Sequence, residues 1–317
     1  MIREILQDYS SQGRFLFGNR QRKAKENAPP AVIGKEKKDR QLKYFTNIAQ
    51  FRGPSGSTRI EIAFLTPLSK NLVQHFNVDS KDTIKVEYAS MLRNTNCEAI
   101  IGVQNSKIIP VGAMAEEGLP NAVGKLTMLS PPQIVEITTQ VKDAATDSLG
   151  YDQQIIEVRD FTGDDLMVSD LQMYKQIDEN NTRQSLLLPY MILEGFIAAP
   201  YIYTEIKKSE SVLVYYELYN LLEGRESAEY EFEITVQWDN ARQRLDKRVI
   251  GFIRGKRDDT VSFTQSRTFT TEAAREILLL DLSDLDDSPY NLSIAITDIV
   301  YSRAASSAVK EIFVSNK

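Results

Sequence analysis

Two stretches of this chain do the same job roughly 150 residues apart, and this repetition limits what the chain can fold into more than any other feature. SVLVYYELYNL, from Ser211 to Leu221, places Val212, Val214, Tyr216 and Leu218 on one face of a strand. TRIEIAFLTPL, from Thr58 to Leu68, does the same with Ile60, Ile62 and Phe64. Apolar residues at alternate positions fit a half-buried strand, and β-branched and aromatic side chains suit a pleated sheet. A strand written twice implies a fold written twice.

Further strand-like runs follow the first anchor: Thr83 to Met91 (TIKVEYASM), Glu98 to Gln104, Gln133 to Val141, Gln154 to Arg159 and Leu166 to Met173. The second half supplies counterparts in the same order. Ala228 to Val236 answers Ile84 to Leu92 at an offset of 144, and RVIGFIRGK from Arg248 answers AIIGVQNSK from Ala99 at 149. Ile277 to Leu285 answers Val135 to Asp143 at 142, and Ile294, Ile296 and Asp298 answer Ile156, Val158 and Asp160 at 138. Val309 to Val314 answers Leu166 to Met173. The offsets change across loops, where insertions are tolerated. The anchors align at 152 by their apolar faces but at 153 by LTPL and LYNL, which predicts a bulge in one copy.

Short strands, frequent turns and no long helical pattern predict an all-β protein of two tandem antiparallel β-sandwiches, Ig-like and related by internal duplication. The expected boundaries are a basic N-terminal arm or linker at 1–43, a first β-sandwich at 44–175, a linker and edge segment at 176–203, and a second β-sandwich at 204–317. Pro189 and Pro200 confine the connecting stretch to coil or a sheet edge. With 317 residues and 42% apolar composition the chain has material for two cores.

Charge divides unevenly. From Arg14 to Lys43 ten basic residues face three acidic ones, a net +7 in a chain whose total is −6, so the body is strongly acidic and repels nucleic acid. Between Arg20 and Arg40 no aromatic residue is interleaved with the charges, and the arm reads as a separable linker rather than a phosphate-binding device. RFLFG, Arg14 to Gly18, looks like a strand fragment lacking a partner. The first residues carry charge where a signal peptide would be apolar, and Leu186 to Ile202 is broken by Pro189, Glu194 and Pro200, so a soluble chain without a transmembrane segment is expected. The single cysteine, Cys97, excludes an intramolecular disulfide and a cysteine-based zinc cluster.

FRGPSGSTRIEIAFLTPL, VLVYYELYNL and LMVSDLQM resemble the C-terminal part of bacterial GWxTD-domain proteins, in which a strand of the VLVYYELYNL kind and a Val-Ser-Asp-Leu phrase recur. The likeness runs over roughly residues 44 to 317 and rests on strand patterns. The Gly-Trp-x-Thr-Asp signature itself is absent, the only tryptophan being Trp238 in VQWDN. The resemblance implies an exported or periplasmic, cell-envelope location and supplies no activity and no catalytic residues.

Reactive chemistry is sparse. His75 is the sole histidine and no G-x-S-x-G elbow accompanies it. GFIRGKRDDT lacks phosphate-loop spacing and reads as a hairpin turn. Asp281, Asp284, Asp286 and Asp287 in DLSDLDDSP are candidate calcium ligands, against the plainer reading of a solvated turn; Asp164 and Asp165 after Gly163 are a weaker pair. Asp160 and Asp298, each following the apolar face of its strand, suggest a shared structural hydrogen bond. No cofactor and no enzymatic activity are expected. The preferred function is a protein-interaction or scaffold module with a protein partner. The alternative is a carbohydrate-binding module stacking sugars on Tyr201, Tyr203, Tyr215, Tyr216 and Tyr219, set against the same tyrosines as ordinary strand residues.

Overall fold

A computed structural model describes residues 42–67, 76–78, 81–110, 121–144, 148–176, 191–193, 196–202, 205–210, 212–238 and 260–315. His75, residues 1–41, Tyr203 and the stretch 239–259, with most of GFIRGKRDDT, lie outside them. The chain divides into two compact units, whose described residues are 42–160 and 161–315. Among the described residues no helix is long and apolar enough to cross a membrane.

The first unit contains β1 (Phe45–Arg52), β2 (Thr58–Pro67), β3 (Phe76–Val78), β4 (Lys81–Arg93), β5 (Ala99–Pro110), β6 (Asn121–Ser130), β7 (Ile134–Asp143) and β8 (Leu149–Glu157). One sheet runs β1-β2-β6 and the other β5-β4-β7-β8, with β3 added to β4. Pairing is antiparallel throughout. Alternation sends Ile60, Ile62 and Phe64 of β2 inward with Leu126 and Met128 of β6, against Val86, Tyr88 and Leu92 of β4 and Val135, Ile137 and Val141 of β7. This is a sandwich core, and burying each such side chain contributes about 1.5–3 kcal/mol. Gly124 of β6 makes room for the largest of them, since a Cβ there would stand 2.7 Å from the Tyr88 ring.

The second unit contains β9 (Met167–Val168), β10 (Gln172–Gln176), β11 (Met191–Leu193), β12 (Phe196–Pro200), β13 (Glu205–Lys207), β14 (Val212–Tyr219), β15 (Ala228–Trp238), β16 (Thr260–Phe269), β17 (Ala273–Leu280), β18 (Ser288–Asp298), β19 (Ala304–Ser306) and β20 (Lys310–Ser315). Its sheets run β11-β12-β10-β14-β17, with β9 on β14, and β13-β20-β18-β15-β16, with β19 on β18. Only the β13–β20 pair is parallel among the described pairs. Val212, Val214, Tyr216 and Leu218 of β14 face Tyr230, Phe232, Ile234 and Val236 of β15 and Leu292, Ile294 and Ile296 of β18 across the core.

The all-β reading holds, and both anchor strands lie inside a sheet, paired on both sides, with the expected residues buried. The boundary near residue 175 does not: β9 and β10 pair with β14, so the LMVSDLQM segment expected to close the first sandwich opens the second. A strand's alternation shows that it pairs, not with what. Most strand correspondences shift as a result. Seven strands have the same neighbours in the two units: β1, β2, β4, β5, β6, β7, β8 in one and β10, β14, β15, β16, β17, β18, β20 in the other. β4 and β15, set against each other at offset 144, hold the same place in the pairing order of their sheets. In pairing order, however, β5 matches β16, β6 matches β17, β7 matches β18 and β8 matches β20, while the Arg248 stretch lies outside the described residues. The expected bulge is also missing from the anchors, as β2 and β14 pair with β6 and β17 without a register shift.

Candidate functional site

The most elaborate polar arrangement among the described residues surrounds Asp298, the last residue of β18. Its side chain is fully buried, and a carboxylate in such a place must be paired and hydrogen-bonded. Oδ1 accepts the backbone N–H of Val300 at 3.0 Å and of Tyr301 at 3.1 Å. Oδ2 accepts a short bond from Arg225 Nη2 and one of 3.2 Å from Arg303 Nη2. Burial alone would push the carboxyl up, but the Arg225 guanidinium, the two backbone donors and Arg303 together hold it down at about 2.

The two arginines also fasten the turn after β18 to the turn after β14. Arg225 Nε donates to Leu222 O at 3.0 Å and its guanidinium lies over the Tyr301 ring, 4.5 Å from the centroid. Arg303 donates to Asn220 O at 3.3 Å, Leu221 O at 3.1 Å and Tyr230 Oη at 3.0 Å, and pairs with Glu223 at 3.1 Å. Tyr230 in turn donates a short bond to Leu221 O. Asn220, Glu223, Gly224 and Ser302 all have positive φ, which the tight turns require. An ionised carboxylate saturated with donors neither takes nor gives a proton near neutral pH, so this is a clamp rather than an acid–base centre.

Asp160, expected to match Asp298, is exposed. The pairing places Asp143 of β7 there instead: Asp143 lies opposite Val86 and Asp298 opposite Tyr230. Asp143 is also fully buried, and its N–H donates to Ser148 O at 3.0 Å just as that of Asp298 donates to Arg303 O at 2.7 Å. The pair expected from sequence, Asp160 and Asp298, is therefore not alike in its surroundings, whereas Asp143 and Asp298 are both buried at the ends of their strands.

The four described candidate tyrosines do not form a stacking platform. Tyr201, Tyr215, Tyr216 and Tyr219 are 7%, 8%, 4% and 3% exposed, and Tyr203 lies outside the described residues. Tyr216 is in the core, where burial raises its hydroxyl pKa. Tyr215 and Tyr219 are on the opposite face of β14 with Glu217 between them, and their hydroxyls donate to its two carboxylate oxygens at 2.5 and 2.7 Å. Phe161 packs edge-on against Tyr219. Tyr201 shares its hydroxyl proton between Glu205 O at 2.9 Å and Glu210 Oε2 at 2.8 Å. Rings so buried offer no face to a sugar. Glu217 was not a candidate from sequence, although Tyr-x-Glu-x-Tyr spacing on a strand already puts the three side chains on one face.

The calcium candidates are exposed in the turn after β17 and are occupied separately. Asp281 accepts the Ser283 N–H at 3.0 Å, and Asp287 pairs with Lys208 at 3.0 Å. Asp286 offers its backbone oxygen to Tyr290 Oη, and Asp284 is one of the exposed turn residues. Among the described residues no three acidic, histidine or cysteine side chains converge as metal ligands. Gly163 and Asp165 likewise use their backbone oxygens, which accept Asn220 Nδ2 at 2.7 and 2.6 Å. Cys97 is exposed in the turn after β4, at φ 63°.

Fold and site together define a class, an all-β protein of sandwich units with structural polar clusters. No family model and no curated protein matches the chain. Among solved structures it is similar to trypsin-activated alpha-2-macroglobulin from Escherichia coli, at 8% identity and a TM-score of 0.21, over 87% of this chain and 17% of that one. It is also similar to a putative beta-galactosidase from Bacteroides fragilis, at 11% identity and a TM-score of 0.24, over 88% of this chain and 35% of that one. The chain thus spans well under half the length of either, and likenesses at this level assign it no activity and no ligand.

Proposed function

We propose that this chain is a non-enzymatic protein-interaction module, two copies of one β-sandwich working as part of a larger bacterial assembly. The duplication is supported by the shared neighbour order of seven strands and by a buried aspartate closing the same turn in each unit. One observation carries the functional reading: the described candidate side chains are buried or committed to turns, while long edge strands and isolated apolar side chains face solvent. Ile108 on β5, Ile155 on β8 and Phe263 on β16 are 53%, 76% and 57% exposed. Edges of this kind recognise proteins by strand addition or side-chain contact. The exported location implied by the GWxTD resemblance belongs to the same proposal.

A photo-crosslinking residue at positions 108, 155 and 263, introduced one at a time in the native cell, tests it. A discrete protein adduct at one or more positions is expected, together with silence on a glycan array. A reproducible glycan signal without any protein adduct would overturn the reading in favour of carbohydrate binding.

A further inference from the structure

The edge strands of the two units are not equally protected against pairing with another chain. Natural sheets blunt their edges with short strands, bulges, charges, proline or a covering segment. Among the described edges, β11 and β13 are three residues long. β5 meets β4 through a register shift at Leu92/Arg93 and carries Lys107. The outer edge of β8 is engaged at both ends, by Leu42 N–H donating to Leu149 O and by Gln50 Nε2 donating to Glu157 O. β6 carries Lys125, and β17 carries Arg275 and Glu276.

Among the described residues β16 has none of these devices. It pairs with β15 through ten consecutive residue pairs without a shift, lies at the end of its sheet, and is exposed from Ser262 to Gln265 and again at Ser266 and Thr268. TVSFTQSRTF contains no proline, no lysine and no acidic residue, and its one charge, Arg267, is spent on Glu276. Its outer face is a row of Ser262, Thr264, Ser266 and Thr268, beside Thr235, Glu233, Glu231 and Glu229 of β15.

We infer that β16 pairs antiparallel with β16 of a second copy of this chain, joining two sheets into one across a two-fold axis. This rests on the interaction-module reading and names its partner. Residues opposite one another in an antiparallel pair point to the same face, so the register must place a residue on the axis. Gln265 there sets Ser262 against Thr268, Thr264 against Ser266 and Phe263 against Arg267 of the other copy. Hydroxyls meet hydroxyls, and Arg267, already paired with Glu276, stands opposite an uncharged ring. Serine and threonine pairs are favourable, and no like charges are opposed. The glutamate rows on the two β15 strands come to lie three strand spacings apart, about 14 Å. That exceeds the screening length of about 8 Å at physiological ionic strength, so they do not prevent the pairing. At low salt they act against it.

Sedimentation equilibrium of the full chain over about 1 to 200 μM, the range that detects micromolar dimers, tests the inference. A reversible dimer is expected, weakening as salt is lowered. Gln265→Lys, which puts two ammonium groups on the axis, is expected to raise Kd about tenfold or more, while Ile155→Lys on β8 leaves it unchanged. Thermal melts of both variants check folding. In a Cys97→Ser background, Gln265→Cys is expected to cross-link the copies on mild oxidation, and Ile155→Cys is not. A chain that stays monomeric at every concentration, or a dimer indifferent to Gln265→Lys, overturns the inference. If protein adducts form at positions 108, 155 or 263 while the chain remains monomeric, the self-pairing fails and the interaction module stands. If neither adducts nor dimer are seen, both fail.

Discussion

The outer faces of β4 and β15 occupy the same place in the two units and carry different chemistry. In the first unit Lys85 pairs with Glu87 at 2.8 Å and Arg93 with Glu136 at 3.3 Å, so charges alternate and cancel. At offset 144 the second unit has Glu229 for Lys85, Glu231 for Glu87 and Glu233 for Ala89, all exposed. The turns after β7 and β18 differ in the same way. Both are closed by a buried aspartate, but Ser148 stands where the second unit has Arg303. The comparison teaches that both units feed a core by the same alternation while their exposed side chains and turn fastenings carry different chemistry, because solvent-facing positions carry little of the folding energy.

The largest effect that would break this comparison is expected at the clamps. Asp298→Asn leaves Arg225 and Arg303 facing a neutral group and is expected to cost the second unit about 3 kcal/mol, read as faster amide exchange in β15 and β18. Asp143→Asn, at the equivalent turn without a counterpart of Arg303, is expected to cost the first unit about 1–2 kcal/mol. Equal losses would show that the arginines add nothing.

Next in size is Gly124→Ala, which forces a Cβ against the Tyr88 ring and is expected to destabilise the first unit by about 1–3 kcal/mol. Calorimetry should show one transition lowered and the other unmoved. Two transitions falling together would mean that the units unfold as one.

The clamp also has a pH signature. Because the folded state depresses the Asp298 pKa to about 2 from an ordinary 3.8, its contribution is complete above about pH 4 and is lost as pH falls toward 2. The stability gap between the native chain and Asp298→Asn should therefore be flat between pH 5 and 8 and close in acid. A gap that widens as pH falls would reverse the assignment.

The smallest expected effect is a change of sign. Glu231→Lys relieves repulsion within the glutamate row and should stabilise by about 0.3–0.5 kcal/mol, whereas Glu87→Lys removes a partner from Lys85 and should destabilise by a similar amount. Denaturant midpoints compared at low and high salt would show both effects shrinking with screening.

Much of the fold was legible because alternation is local. β2, β4, β7, β14, β15 and β18 each announce a buried face in their own residues. β1 and β6 do not, since FTNIAQFR is half polar and NAVGKLTMLS mixes glycine, lysine and serine into its run, and overlooking β6 sets β7 against β17 and β8 against β18, which puts Asp160 opposite Asp298. Pairing partners are a property of the whole chain and leave no mark on a single segment. The site was less legible. Tyr215 and Tyr219 look like an exposed platform because they alternate with core residues, and only the assembled unit shows that the other face of β14 is buried as well. Arg225 and Arg303, 78 positions apart in sequence, give no local hint that they meet at one carboxylate.

The parallel pairing of β13 with β20 bears on the order in which the molecule acquires its structure. β13 lies between Glu205 and Lys207, but its partner is Lys310–Ser315, more than a hundred residues later, and a parallel ladder over such a separation pays its closure entropy before any bond forms. Among the described strands, those of the first unit all precede Phe161. The second unit holds β13 without its partner until β20 emerges, so for about a hundred residues of synthesis that strand is open to capture by a chaperone.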